Sequence, residues 1–422
     1  MSKIRIKNFG PIKEGYQENG GWMDIKKVTL FIGNQGSGKS TVAKLISTLM
    51  WFEKALIRGD VHTQISHKEF IELLQYHKLE DYLEINSEIE YEGDAWRIIL
   101  TKNNNSTKQF LAANRINKSS VKLPKIMYVP AERNFLSSIK NINKVSNLVA
   151  GSLLSYSVEF RNAQLESNGE IIELPINETK VKYDSNEDEN YILFGEKRLK
   201  LLDASSGFHS VVPLFWVSKY LTDFIKSDEK KLLKLLSSDQ TIRRINELKN
   251  MNLSSINETE IKAKERKINE KYICKYFVNI VEEPEQNLFP TSQQSVLNEL
   301  LRYVNEVDEN KLIMTTHSPY LINFLTLAVK TYSVFKNVDS NVNKENYRSK
   351  EDLILKLNKI VPIKSSINSE DLAIYELDEK EGKIKLLGNY KGLPSDENYL
   401  NNNLEDSNEL FAQLQEIEKG WR

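Results

Sequence analysis

The sequence has almost no cysteine, since Cys274 is the only one among 422 residues. A single cysteine excludes an internal disulfide and a cysteine-rich zinc site. Cys274 directly precedes a strongly apolar stretch, which is typical of a small buried side chain. We therefore interpret it as a packing residue and not as a nucleophile.

The chain also lacks a long hydrophobic run and an excess of charge of either sign. Its longest apolar stretches, near 211–217 and 320–329, are too short to span a bilayer, and its first residues do not resemble a signal peptide. These features predict a cytoplasmic protein with no membrane partner. The net charge of −1 gives no overall attraction to nucleic acid, so direct nucleic-acid binding would need a local basic patch.

What the sequence does contain is a series of short apolar segments that alternate with helical patterns. Helical spacing of apolar residues follows several of them, as in Val42, Leu45, Ile46 and Leu49. This alternation predicts an α/β fold with a mostly parallel sheet that is covered on both faces. Alternating strands at 88–91 and 96–100 predict an antiparallel β-subdomain in the N-terminal part. The continuous apolar strands are predicted at 27–32, 126–129, 277–281 and 311–314.

A glycine-rich segment directly after the strand 27–32 fits the pattern G-x-x-x-x-G-K-[ST] in full. Small residues let successive backbone N–H groups turn inward around a polyphosphate, and the next helix directs its positive N-terminal end at the same anion. Lys39 would reach the β- and γ-phosphates, and the Ser40 hydroxyl would ligate Mg²⁺. The strand before and the amphipathic helix after it argue against an ordinary glycine-rich turn. The predicted nucleotide-binding residues of this loop are Gly33, Asn34, Gln35, Gly36, Ser37, Gly38, Lys39, Ser40 and Thr41.

Two carboxylates, Glu282 and Glu283, stand at the end of the strand 277–281. Ligands of open α/β sheets bind at the carboxyl ends of the strands. Glu282 is predicted to hold Mg²⁺ through water, and Glu283 to orient and deprotonate an attacking water. Acidic residues after a strand are also common in loops, and it is the preceding glycine-rich loop that favours the catalytic interpretation.

The next predicted strand ends in Thr-Thr-His-Ser-Pro, which places His317 at the same edge of the sheet. A histidine there could donate a hydrogen bond to a γ-phosphate and so report its presence. The segment is also a helix start, with Ser318 as cap and Pro319 as first helical residue. The two interpretations are compatible.

A third phosphate-binding candidate is Ser205-Ser206-Gly207, ahead of the apolar helix at 211–217. A serine hydroxyl and free N–H groups at a helix start can bind phosphate. An isolated Ser-Ser-Gly is usually only a turn. Its position between the glycine-rich loop and the carboxylate strand is what favours the functional interpretation.

Taken in order, these four motifs resemble the ABC-type P-loop ATPase domain of the RecF, SMC and OLD-like group. The resemblance implies ATP and Mg²⁺ as cofactors and a helical lid inserted into the ATPase core. It makes Lys39, Glu283 and His317 catalytic, with Glu283 as catalytic glutamate and His317 as switch histidine. It makes 205–207 the signature motif that contacts ATP bound by the opposite subunit, which implies a homo-oligomer. Val-Pro-Ala-Glu-Arg at 129–133 resembles the segment near the Q-loop, although it has no glutamine.

More narrowly, E-E-P-E-x-x-L-x-P from Glu282 and the T-T-H-S-P segment are similar to stand-alone bacterial ATPases of antiphage defence. The ATPase subunit of PARIS-type systems is the first choice and that of Septu-type systems the second. Both imply a separately encoded nuclease, TOPRIM- or HNH-type, and a phage-derived trigger. The stretch after Val334 is too short for the TOPRIM domain of OLD nucleases, so we do not expect the chain to cut nucleic acid itself.

Two other functions stay open at this point: a RecF- or SMC-like repair ATPase that binds DNA directly, and a scaffold that ATP stabilises with little turnover. The predicted organisation has four parts: 1–136 with the glycine-rich loop and the β-subdomain, 137–274 as the inserted lid with the signature motif, 275–335 as the second part of the core, and 336–422 as a C-terminal extension.

A composite site of this kind predicts a selective defect in Ser205→Arg. The bulky cation should leave ATP binding by a lone subunit intact but prevent two subunits from closing on the nucleotide. Equilibrium ATP binding and steady-state phosphate release, measured on the same preparation, separate the two effects. Normal ATP hydrolysis by the variant would rule out the composite site.

Overall fold

The computed structural model describes residues 2–102, 108–117, 119, 121–138, 148–250, 258–340 and 350–420. The strands in chain order are β1 Ser2–Phe9, β2 Gly15–Tyr16, β3 Met23–Ile25, β4 Val28–Gly33, β5 Gln64–Ile65, β6 Leu83–Glu92, β7 Trp96–Lys102, β8 Gln109–Arg115, β9 Leu123–Val129, β10 Ile172–Glu173, β11 Lys180–Asp184, β12 Glu189–Phe194, β13 Lys197–Lys200, β14 Cys274–Glu282, β15 Lys311–Thr316, β16 Leu372–Leu377, β17 Lys383–Leu386, β18 Asn389–Tyr390 and β19 Leu393–Pro394. The α-helices are α1 Lys39–Arg58, α2 His67–Gln75, α3 Phe135–Ser138, α4 Gly151–Glu166, α5 Ser206–Ile225, α6 Glu229–Lys234, α7 Ser238–Lys249, α8 Glu258–Glu270, α9 Pro290–Val304, α10 Pro319–Ser340, α11 Lys350–Ile360 and α12 Tyr399–Gly420.

The centre of the fold is a seven-stranded sheet in the order β2-β17-β16-β4-β15-β14-β9. The five strands from β16 to β9 are parallel. Every residue of β4 is buried, because apolar side chains cover both faces of the sheet. This confirms the predicted α/β class with a mostly parallel sheet.

One face of the central sheet packs on α1, and the far side of α1 packs on a six-stranded antiparallel sheet. Its strand order is β3-β1-β6-β7-β8-β5, which confirms the predicted N-terminal antiparallel subdomain. Several outward residues of this sheet form ion pairs with one another. Lys3 lies 3.1 Å from Glu92, and both Arg5 and Arg97 contact Glu90.

The other face of the central sheet packs on helices that include α5, α9 and α10. Within the predicted insertion, β10 to β13 form a four-stranded antiparallel sheet against this core. The charged helices α6, α7 and α8 follow α5. The insertion is therefore partly sheet and partly helix. Among the helices of the described ranges, none combines the length and the apolar character that a bilayer crossing requires.

The apolar patterns at 373–377 and 383–387 predict a hairpin, and the structure has this hairpin as β16 and β17. Both strands belong to the central sheet, and β16 pairs directly with β4. The predicted domain boundary at 336 stays a prediction. Two strands that follow it in the chain, β16 and β17, belong to the same sheet as β4.

Glu53 of α1 ties the helix to the turn between β6 and β7. Its buried carboxylate accepts hydrogen bonds from the N–H groups of Ala95 (2.8 Å) and Trp96 (3.1 Å) and from the Tyr91 hydroxyl (3.1 Å). Burial raises the pKa of Glu53. Gly93 leaves room for this carboxylate, since a Cβ there would lie 1.9 Å from Glu53 Oε2.

Gly93→Ala should therefore lower the free energy of unfolding by about 1–3 kcal/mol, because the added methyl group displaces the Glu53 carboxylate from its bonds. Urea unfolding followed by circular dichroism measures the change. Gly388→Ala is the matched control, since a Cβ at Gly388 meets no atom within 4 Å, and it should change stability by less than about 0.5 kcal/mol. Equal effects of the two substitutions would show that the Glu53 contact does not constrain the turn.

Candidate active site

The glycine-rich loop connects the buried end of β4 to the first turn of α1, as the sequence predicts. Gly33 and Gly38 have φ angles of 141° and 97°, in the region that disfavours side chains. A Cβ at Gly33 would lie 2.3 Å from the carbonyl oxygen of Leu377, and one at Gly38 would lie 2.5 Å from Ile12 Cδ1. The loop is thus held between the end of β16 and the residues that follow β1.

Within the loop, Asn34, Gln35 and Gly36 are exposed, whereas Ser37, Lys39 and Thr41 are buried and Ser40 is half-buried. The Ser37 hydroxyl has no hydrogen-bond partner. A Cβ at Gly36 would meet no atom within 4 Å, so space is open beside the backbone. An open loop with an unsatisfied hydroxyl fits an anion with several oxygen atoms.

Lys39 folds back over the loop in this structure. Its Nζ donates hydrogen bonds to the carbonyl oxygens of Gly33 (2.8 Å) and Asn34 (2.7 Å). Burial lowers the pKa of Lys39 to about 8, against the opposing effect of Glu283 and other nearby carboxylates. A desolvated ammonium group held by two neutral carbonyls is well placed to exchange them for phosphate oxygens.

Glu283, His317 and Lys39, the three residues predicted to be catalytic, lie in one line. Nε2 of His317 is 3.4 Å from Glu283 Oε1, and its Nδ1 is 3.4 Å from Lys39 Nζ. A charged Lys39 can only donate to Nδ1, so the ring proton sits on Nε2 and is donated to Glu283. The hydrogen bond from His317 is the main reason that the pKa of Glu283 is lowered, against the opposing effect of partial burial.

The backbone places Glu283 at the edge of the sheet in a strained conformation. Glu283 follows β14 with a φ of 42°, and its N–H donates to the carbonyl oxygen of Thr315 at the end of β15 (2.9 Å). Non-glycine residues with positive φ are uncommon, and such strain concentrates at functional sites. The turn directs the Glu283 side chain toward His317.

Glu282, a predicted Mg²⁺ ligand, accepts hydrogen bonds from two neighbouring residues. Its buried carboxylate accepts hydrogen bonds from the hydroxyl of Tyr128 and from the N–H of Ala131 (3.0 Å). In the described chain no hydrogen bond or ion pair joins Glu282 to Ser40, the other predicted ligand. A hydroxyl and carboxylates are the oxygen donors that Mg²⁺ prefers. The metal-binding role of both residues stays a prediction.

Glu285 is a buried carboxylate of the site to which the sequence analysis gave no role. Its Oε1 accepts hydrogen bonds from the Thr316 hydroxyl (2.6 Å) and the His317 N–H (2.9 Å), and its Oε2 is buried without a partner. Burial raises the pKa of Glu285. It is a positioning residue that fixes the backbone on which His317 stands. Glu285 belongs to the E-E-P-E segment of the sequence, but the sequence pattern alone does not distinguish its role from that of Glu283.

Arg133, in the segment compared with the Q-loop, is fully buried. Its guanidinium donates to the carbonyl oxygens of Glu282 (2.7 Å), Glu283 (2.6 Å), Ser210 (3.1 Å) and Pro130 (3.3 Å). It therefore joins the carboxylate turn after β14 to the first turns of α5. Desolvation lowers its pKa, an effect that the nearby carboxylates oppose.

The structure does not bring Ser205, Ser206 and Gly207 to the glycine-rich loop. The two serines are exposed at the start of α5, and the Ser205 side chain does not cap the helix. Gly207 packs on the turn after the carboxylates, where a Cβ would lie 3.0 Å from the carbonyl oxygen of Asn287. Within the described ranges, no hydrogen bond links these residues to the loop.

A further residue that the sequence analysis missed comes from the C-terminal hairpin. Glu379, in the turn after β16, accepts a hydrogen bond from Asn34 Nδ2 (3.1 Å) and lies near Lys39. It stands some 340 residues from the loop in sequence, and no motif surrounds it. Only the pairing of β16 with β4 brings it to the site.

No protein-family model matches the sequence, and no curated protein matches it significantly. Solved structures with partial likeness include SMC head domains. The SMC head domain from Thermotoga maritima has 10% identity and a TM-score of 0.33 over 92% of this chain and 98% of that one. An SmcHead bound to the C-winged helix domain of ScpA has 11% identity and a TM-score of 0.36 over 91% and 95%. An Smc head domain with an extended coiled coil, bound to the C-terminal domain of ScpA derived from Pyrococcus furiosus, has 10% identity and a TM-score of 0.36 over 98% and 100%. At this level of likeness nothing follows about activity.

The lowered pKa of Lys39 predicts how binding of ATP depends on pH. Above about pH 8 the free protein loses the Lys39 proton, and binding has to restore it, so affinity should fall by up to about tenfold per pH unit. Below pH 8 the lysine is already charged and affinity should change little. Titration calorimetry with MgATP from pH 6.5 to 9.5 measures this. Lys39→Arg, whose charge persists throughout, should remove the pH dependence, and an unchanged wild-type affinity at pH 9.5 would contradict the prediction.

Proposed function

We propose that this chain binds ATP with Mg²⁺ and hydrolyses it to ADP and phosphate. The observation that carries the proposal is the line formed by Lys39, His317 and Glu283 at the carboxyl ends of three neighbouring parallel strands. Open α/β sheets bind their ligands at this edge, and the glycine-rich loop on β4 fits a polyphosphate.

The residues divide the work according to their charge and position. Lys39 exchanges the carbonyls of Gly33 and Asn34 for the β- and γ-phosphate oxygens. Glu283 accepts a proton from a water molecule as that water attacks the γ-phosphorus and the bond to the bridging oxygen breaks. Mg²⁺, when bound, neutralises charge on the phosphates. His317 lies between Lys39 and Glu283, so movement of Lys39 toward phosphate frees Nδ1 of the ring.

We infer that two copies share each nucleotide. Ser205 and Ser206 are exposed at the N-terminal end of a twenty-residue helix. Within the described residues, neither forms a hydrogen bond with the glycine-rich loop of the same copy. Free N–H groups and hydroxyls at such an end suit a phosphate presented by another copy. Arg133 would then couple closure to hydrolysis, since it holds α5 and the carboxylate turn together.

For the cellular role we propose a sensor that controls a separately encoded TOPRIM- or HNH-type nuclease in antiphage defence. A PARIS-type system is the first choice and a Septu-type system the second. Its support is the resemblance of the E-E-P-E and T-T-H-S-P segments. Co-purification from the native host with and without ATP tests it, and recovery of no nuclease under either condition would reject it. The antiparallel sheet gives little support to a DNA-repair role. Its outward Lys3, Arg5 and Arg97 are paired with glutamates, which weakens their attraction for DNA phosphates.

Two substitutions should separate binding from hydrolysis. Lys39→Ala should abolish ATP binding, because it removes the ammonium group that reaches the loop carbonyls. Glu283→Gln should bind ATP within about threefold of wild type but lower kcat by at least about 100-fold, because the amide cannot take the proton. Calorimetry and phosphate release measure the two properties.

Glu381→Gln is the matched control, since it makes the same chemical change on an exposed turn residue paired with Lys383, and its kcat should equal that of wild type. Equal hydrolysis rates for wild type and Glu283→Gln would remove Glu283 from the mechanism. Failure of the wild-type chain to bind any magnesium nucleotide would end the proposal as a whole.

A further inference from the structure

A cavity of about 330 Å³ lies between α1, the end of α2, α4 and β9. Ser47, Thr48 and Trp51 line it from α1, the helix that begins at Lys39. This volume is at the small end of the range for ligand sites in proteins. It suits one or two fused rings and is too small for a length of peptide backbone.

Aromatic side chains form much of the cavity wall. Trp51 and Tyr76 stand at its mouth, with 42% and 40% of their surfaces exposed, and Tyr128 of β9 is buried behind them. Leu73, Ile126 and Met127 add aliphatic side chains to the lining. Flat apolar walls of this kind favour a planar aromatic ligand, because rings stack and meet edge to face.

One polar group in the wall has no partner. His77 is buried, and neither of its ring nitrogens forms a hydrogen bond with any residue that the structure describes. Burial lowers the pKa of His77 to about 3, so the ring is neutral, with one donor and one acceptor nitrogen. Buried polar side chains are nearly always hydrogen-bonded, and one that is not calls for an explanation.

The imidazole is covered by two rings that differ in how firmly they are held. Its centroid lies 4.7 Å from that of Tyr76 and 4.6 Å from that of Tyr128. Tyr128 is buried and held by the hydrogen bond to Glu282. Tyr76 is partly exposed and shares a side-chain hydrogen bond with Ser155. A small shift of Tyr76 therefore opens the way from the cavity to His77.

We propose that this cavity is a binding site for a planar aromatic heterocycle with an N–H group, and that His77 accepts the hydrogen bond from that group. Such a ligand satisfies the free acceptor and stacks on the aromatic walls in one pose. An indole ring has this chemistry, either as a free small molecule or as the side chain of a tryptophan. The site is separate from the glycine-rich loop and does not depend on the proposed hydrolysis.

The test uses the unmodified full chain and two matched probes. 5-Fluoroindole and 5-fluorobenzothiophene have nearly the same shape, but only the first has an N–H group. Fluorine NMR titration should give a dissociation constant of about 1 mM or tighter for 5-fluoroindole and one about tenfold weaker for 5-fluorobenzothiophene. Equal affinities, or no binding of 5-fluoroindole at 5 mM, would overturn the proposal.

Variants locate the binding. His77→Phe keeps an aromatic ring without the acceptor, so it should bring the affinities for the two probes together. Ser155→Phe fills the cavity and should abolish binding of both. Tyr390→Ala removes an exposed ring elsewhere and is the control that should bind as wild type does. Unchanged binding by a folded Ser155→Phe variant would place the ligand elsewhere and reject the site.

A third probe distinguishes the two sources of the ring. N-acetyl-5-fluorotryptophanamide presents the indole with peptide bonds attached. Binding at least as tight as that of 5-fluoroindole supports a tryptophan side chain as the natural occupant, and loss of binding supports a free small molecule. Both results leave the site in place, since the first two probes decide its existence.

Discussion

The guanidinium of Arg133 is the interaction on which the arrangement of the candidate site depends. It carries its charge into a fully buried position and is held there by four main-chain carbonyl oxygens. Two of these belong to the residues that present the carboxylates and one to the first turns of α5. A buried charge is tolerated only with such a complete set of partners. The strained turn at Glu283 and the direction of α5 are therefore fixed together.

Lys39 is the charged residue of the site that can exchange its partners. Its ammonium group contacts two carbonyl oxygens and a ring nitrogen of His317, and phosphate oxygens can take the place of each of these acceptors. Glu285 accepts a hydrogen bond from the backbone N–H of His317, and Glu379 accepts one from the side-chain amide of Asn34. The charged side chains of the site are thus already close together in the free protein, which reduces the reorganisation that binding requires.

The sequence predicted the parts of the site that follow local rules. The glycine-rich loop, the carboxylates after β14 and His317 after β15 could be found because each stands between a buried strand and a helix. Tyr128, Glu285 and Glu379 could not, because their roles come from strand pairing over long separations. The same reason applies to β16 and β17, which patterning identified as a hairpin but could not place beside β4.

The pairing of β4 has a consequence for biosynthesis. This strand leaves the ribosome long before its neighbours in the sheet, β15 and β16, which begin at Lys311 and Leu372. Until β15 has been translated, β4 has no hydrogen-bonding partner on either edge, and one edge stays unpaired until β16 has been translated. Such edges invite association with other chains, and contacts between distant segments form slowly. The nascent polypeptide therefore has a long interval in which it needs shielding, and Leu377 cannot pack against Gly33 of the loop until β16 has emerged.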